Sequence, residues 1–89
     1  MPQVTVTKLT EDVISSRGIR NWPIWTKEVS RFDWEYSDRE ECLILEGAVT
    51  ITTPDGDIDI HAGDFVTFEK GLKCVWNVTD PIRKHYNFS

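Results

Sequence analysis

Apolar and polar positions alternate along most of this chain with a period of two, the spacing that turns one face of a strand inward and the other outward. The alternation is clearest in VTVTKL (4–9), EVSRFDWEY (28–36), AVTITT (48–53) and IRKHYNF (82–88). Shorter apolar runs lie at CLILEG (42–47), DIDI (57–60), FVTFE (65–69) and CVWNV (74–78). Turn-forming residues separate these segments. Pro54-Asp55-Gly56 is the strongest hairpin signal, SDRE (37–40) and HAGD (61–64) read as tight turns, and Asp80-Pro81 is expected to break the chain before its last strand. NWPIW (21–25) is expected to be extended, because Pro23 disfavours a helix before it. EDVISSRG (11–18) reads as a helical turn capped by Thr10 and closed by Gly18. The pattern predicts about eight strands and at most one short helical turn: an all-β chain, one small jelly-roll-like barrel spanning residues 1–89.

Composition changes this picture in three ways. A chain of 89 residues is small, and buries only about 60–65% of the surface its unfolded form exposes. Four Trp, four Phe and two Tyr compensate with large apolar area per residue; association into a homodimer is a second route. Fifteen acidic residues against ten Lys and Arg leave a charge of −5, so a nucleic-acid partner, which needs a basic face, is not expected. No apolar run approaches the roughly 18 residues of a membrane span. The opening MPQVTVTKLTED has neither the basic start nor the apolar stretch of a signal peptide, and a cytoplasmic location is expected. Two cysteines, Cys42 and Cys74, are too few for a disulfide framework and are expected to be reduced.

The segment from Glu40 to Val78 carries a family resemblance. Glu40, six residues, then Gly47 is similar to the second half of the first cupin motif, G-x5-H-x-H-x3or4-E-x6-G. Gly63-Asp64, four residues, Glu69-Lys70-Gly71, two residues, then Cys74 follows the second, G-x5-P-x-G-x2-H-x3-N. With WPIW, FDWEY and IRKHYNF added, residues 20 to 88 resemble the small stand-alone cupins grouped with the cupin domain of (S)-ureidoglycine aminohydrolase. The resemblance implies a cupin barrel and, in metal-binding cupins, one divalent ion held by two histidines and a glutamate of the first motif and a histidine of the second. Here only the glutamate, Glu40, keeps its identity. The two histidine positions hold Trp34 and Tyr36 or, with the longer gap, Asp33 and Glu35. Alternation favours the first pair: Phe32, Trp34 and Tyr36 form the apolar set, and Arg31, Asp33 and Glu35 face outward. The second-motif histidine is Cys74. Of the two histidines present, His61 is expected to be solvated in its turn, and His85 to share with Arg83 and Asn87 the face of the last strand opposite Ile82 and Tyr86. A metal-free pocket is therefore expected. The metal-dependent alternative has only Glu40 and Cys74 to build on, where zinc sites use at least three protein ligands.

The same rule of alternation places Lys84 inward between Ile82 and Tyr86, Cys42 on the face of Glu40, and Cys74, Trp76 and Val78 together. The predicted ligand-binding interior is Trp34, Tyr36, Glu40, Cys42, Cys74, Trp76, Lys84 and Tyr86. An inward lysine needs a carboxylate, and Glu40 is the natural partner. A carboxylate and an amine in a partly dry aromatic pocket can act as an acid–base pair, and a nearby cation would favour the thiolate of Cys74. Glu40, Cys74 and Lys84 are thus the catalytic candidates. Trp22 and Trp25 are expected to pack the barrel end or a partner subunit, and Asp64 to hold its turn through backbone hydrogen bonds. Three functions remain open. The first is a protein that binds a small polar metabolite, of ureido or amino type by the resemblance, with or without metal-independent turnover. The second is a non-catalytic dimeric module with a filled barrel. The third is a metal-dependent enzyme.

Overall fold

The computed structural model describes residues 3–89; Met1 and Pro2, at the head of the N-terminal stretch read above, lie outside the described residues. Seven antiparallel strands carry the fold: β1 (Val4–Thr7), β2 (Ile24–Lys27), β3 (Ser30–Glu35), β4 (Glu40–Thr53), β5 (Gly56–His61), β6 (Phe65–Phe68) and β7 (Lys73–Phe88). Their order is β1-β6-β4-β7-β2, with β3 added to β7 and β5 to β4. The two long strands do most of the organising. Each half of β7 has β4 on one side, while β3 takes the first half of its other edge and β2 the second. β4 is shared likewise between β6 and β5. The sheet thus curls around one core, as a small β-barrel, in agreement with the fold class predicted from alternation.

Two predicted breaks are absent. CLILEG and AVTITT form one strand, and so do CVWNV and IRKHYNF, because Asp80-Pro81 does not interrupt β7. The reason lies across the ladder. Between Ile44 and Val49 the pairing of β4 with β7 slips through a β-bulge. The bulge faces Pro81, whose missing N–H would have cost a ladder bond elsewhere. It also changes the parity of β4. Cys42 and Ile44 enter the core before it, and Val49 and Ile51 after it, so the irregular stretch keeps both halves apolar inward. Gly47 makes this possible at a φ of 92°; a Cβ there would collide with the Pro81 carbonyl.

The predicted helical turn is α1 (Glu11–Ser16), capped by Thr10, whose Oγ1 accepts from the Val13 N–H at 3.3 Å. Gly18 follows in the left-handed conformation and leads into a 3-10 turn, Ile19–Asn21, which takes in the first residue of the segment expected to be extended. Ile14 and Ile19 pack on Leu43 and Phe65, with Trp22 and Leu45 alongside, so this segment covers an outer face of the sheet. Arg17 fastens it by a double hydrogen bond to Glu41 at 3.1 Å. His85 lies on this side of β7, buried, with Nδ1 2.9 Å from the Trp22 carbonyl. His61 is exposed, and the Asp64 carboxylate accepts from its backbone N–H at 2.9 Å, closing the HAGD turn as predicted. No helix among the described residues is long and apolar enough to cross a membrane.

Replacing Gly47 tests the bulge. Gly47→Ala should cost on the order of 3 kcal/mol, from positive φ combined with a backbone clash. Gly56→Ala, also at positive φ but with nothing within 4 Å of the added carbon, should cost only about 1 kcal/mol. Urea unfolding of the two variants reads the difference.

Candidate functional site

Side chains from β2, β3, β4 and both halves of β7 converge on a cavity of about 180 Å³. Its wall is almost entirely aromatic: Trp25, Phe32, Trp34, Tyr36, Trp76, Tyr86 and Phe88, with Glu40 and Lys84 the charged members. Register explains the convergence. Trp25 lies opposite Lys84, Phe32 opposite Trp76, and Trp34 opposite Cys74. Ring contacts then lock the wall. Phe32 stacks on Trp76 with centroids 6.1 Å apart, Trp25 meets the edge of Trp76 at 5.8 Å, and Tyr36 stacks on Phe68 at 4.8 Å.

The charged pair predicted from alternation is formed. Lys84 Nζ donates to Glu40 Oε2 at 2.8 Å, and the Tyr36 hydroxyl donates to Oε1 at 3.0 Å. Both side chains of the ion pair are about 95% or more buried. The ammonium also sits over two indole faces, 4.8 Å from the centroid of Trp25 and 4.6 Å from that of Trp76. These contacts offset part of the desolvation that a buried charge suffers. Burial, followed by the neighbouring Glu40 carboxylate, pushes the Tyr36 phenol far above its ordinary value, so it remains a donor.

The remaining predicted residues separate into wall, rim and core. Tyr36, Trp76 and Tyr86 line the cavity as expected. Trp34 lines it as well, but at the mouth, with 46% of its surface exposed, because β3 is paired only on its β7 side. Cys42 and Cys74 are buried and form no part of the cavity wall. Cys74 instead borders a shallow outer groove with Trp34, Thr52 and Lys73. The expected thiolate of Cys74 is not supported. Burial, with Glu40 adding, outweighs the Trp76 indole and pushes the thiol up to about 11. Burial pushes Cys42 up to about 12, against the pull of Lys84. Both cysteines are free thiols. The Trp76 N–H itself is buried without a hydrogen-bond partner of standard geometry.

Trp25 is the residue that sequence reasoning placed elsewhere. It packs in the pocket against Lys84 rather than at a barrel end, whereas Trp22 does join the outer cluster with Phe65. Only the opposition of Trp25 to Lys84 across β2 and β7 could have revealed this, and a four-residue strand next to Pro23 gives too little alternation to show it.

The donor set does not fit a divalent ion. Among the described residues no three His, Cys, Asp or Glu side chains are grouped to hold one. Glu40 is the one acid of the cavity wall, and a second cation beside it would face the Lys84 ammonium.

The profile of the family described as EutQ-like cupin domain matches residues 14–86. Among solved structures, a DUF861-family protein from Thermotoga maritima is 50% identical over 97% of this chain and 99% of its own, with a TM-score of 0.94. EutQ from Clostridium difficile has a TM-score of 0.67 at 22% identity, over 73% of this chain and 52% of that one. A DUF861-family protein from Pseudomonas syringae gives 0.68 at 24% identity, over 74% of this chain and 29% of that one. The last two share the fold. A search among curated proteins found no match.

Two measurements probe the site. Lys84→Met strands a buried carboxylate and should destabilise the fold by about 3–5 kcal/mol, whereas adding Glu40→Gln should recover most of that loss; urea midpoints of the single and double variants decide. The thiols set an alkaline limit. Because Cys42 and Cys74 ionise above their ordinary value of 9.0 in the folded chain, the unfolded chain binds fewer protons above pH 9. Their stabilisation is therefore complete below pH 9 and is lost as pH rises toward 11 to 12, by up to about 1.4 kcal/mol per pH unit for each thiol. Unfolding midpoints from pH 8 to 11 should fall, and Cys42→Ala should make the fall shallower.

Proposed function

The chain belongs to the EutQ-like cupin domain family, and from that premise we propose that it is a cupin that binds a small polar metabolite without a metal ion. The observation that carries this reading is the cavity of about 180 Å³ with an ion pair at its wall and aromatic rings around it. A filled barrel would have no such space, and most pockets that hold small molecules combine apolar walls with a few placed polar groups. The pair gives the pocket one acceptor and one donor. Any turnover there runs as acid–base chemistry, with the Glu40 carboxylate receiving a proton and the Lys84 ammonium supplying one, while the Tyr36 hydroxyl holds Glu40 by its hydrogen bond. The raised thiols support leaving Cys74 out of this chemistry, since the thiolate is the reactive form. The similarity of residues 20 to 88 to the ureidoglycine aminohydrolase group supports ureido and amino compounds as the first to be tried.

A panel of such compounds, followed by ligand-observed NMR and titration calorimetry, tests the proposal on protein treated with EDTA. At least one should bind saturably, with chelation making no difference. The Glu40→Gln/Lys84→Met double variant should keep its circular dichroism and bind at least about tenfold more weakly. Binding that needs added metal, or that survives the double substitution, would refute the metal-free site.

A further inference from the structure

We infer that the pocket is built for a neutral, planar, single-ring heterocycle that carries a carbonyl next to an N–H, that is, a cyclic amide. The inference rests on the binding site proposed above and names the class of ligand that its geometry selects.

Size comes first. The cavity measures about 180 Å³, slightly more than the roughly 150 Å³ cavity that accepts one benzene molecule in an engineered protein. One six-membered ring with one or two substituent atoms fills it. The wall sets the shape. Phe32 and Trp76 lie within 14° of parallel and Trp25 stands across Trp76 at 77°, so the cavity is bounded by flat faces and edges that a flat ligand can meet.

Charge then separates the possible ligands. The wall holds one positive and one negative side chain in contact, so it offers no net charge to a charged guest. A carboxylate drawn to Lys84 would lie beside Glu40, and an ammonium drawn to Glu40 would lie beside Lys84. Either would also lose its hydration against aromatic walls. A neutral guest avoids both costs.

Hydrogen-bonding capacity completes the selection. Of the three donors of Lys84, one goes to Glu40; the ammonium otherwise meets only the faces of Trp25 and Trp76, and among the described residues Nζ makes no other hydrogen bond. Each Glu40 oxygen accepts one hydrogen bond within the protein, from Tyr36 or Lys84, and each retains a lone pair. The pair therefore presents a donor and an acceptor side by side, 2.8 Å apart. A cyclic amide presents the complement on neighbouring atoms, its carbonyl oxygen toward Lys84 and its N–H toward Glu40. Both resulting bonds involve a charged partner, the stronger class.

Titration calorimetry with 2-pyridone and four analogues tests this. 2-Pyridone and 4-methyl-2-pyridone should bind, whereas N-methyl-2-pyridone, which lacks the N–H, should bind at least about tenfold more weakly. Benzoate and benzylammonium should show a similar loss, and the Glu40→Gln/Lys84→Met variant should lose the preference for 2-pyridone over its N-methyl analogue. If the N-methyl compound binds equally, if a charged ring binds best, or if the double variant keeps the preference, the ligand class is wrong. If no ring binds but a ureido or amino metabolite does, the class again fails and the proposed pocket stands. Failure of every ring and every metabolite overturns both.

Discussion

A carboxylate and an ammonium separated by 44 residues in sequence cannot remain in an apolar barrel unless they meet, and the contact between Glu40 and Lys84 is what the rest of this fold accommodates. The two residues belong to the two longest strands, so their meeting fixes the register of β4 against β7. A slip of one position would turn Lys84 to the opposite face and strand both charges. Register at this point propagates outward. β3 and β2 take their places from β7, and through them Phe32, Trp34 and Trp25 are brought around the pair. The ion pair thus ties the register of the two strands to the burial of two charges, while contributing little net energy against well-packed apolar groups.

The bulge at Gly47 is the geometric counterpart of that constraint. Upstream of it, β4 must send even-numbered residues inward to deliver Glu40; downstream, Val49 and Ile51 must fill the core. No regular strand satisfies both demands, because alternation never changes parity without an irregular stretch. The glycine absorbs the irregularity, and Pro81 opposite it is the residue that loses least from an interrupted ladder. The two residues that look like strand breakers in sequence thus form one local solution to a problem set by the charged pair.

This explains which parts of the molecule were legible in sequence. Alternation in the last strand identified Lys84 as inward and Glu40 as its partner, because a charge on an apolar stripe has few alternatives. The same rule put Tyr36, Trp76 and Tyr86 in the wall. It failed where its assumptions fail. Gly47 and Asp80-Pro81 read as ends because a single sequence shows a breaker's chemistry and not the bulge across the sheet that tolerates it. Trp25 was misplaced because its role comes from a partner strand 59 positions away. Trp34 lies on the predicted face but at the rim, since alternation gives the face and not the depth. For Cys74 the cation was in view but the degree of burial was not, and burial dominates the thiol.

The altered motif acquires a physical meaning from this arrangement. In a metal-binding cupin the glutamate at the position of Glu40 is one of several ligands to a divalent ion. Here the histidine positions are taken by Trp34, Tyr36 and Cys74, and a lone carboxylate in an aromatic barrel needs another counter-charge. Lys84 supplies it from the opposite strand, with the indoles of Trp25 and Trp76 supporting the ammonium. An ammonium differs from a metal ion in what it can offer a guest. It carries a single charge already matched by Glu40, and it presents N–H donors in place of open coordination positions. On the proposed reading, such a site orients a guest by hydrogen bonds and moves protons, and the selectivity of the pocket comes from matching a donor and an acceptor between flat walls. The aromatic residues that compensate for a small core and those that shape the ligand space are then largely the same side chains.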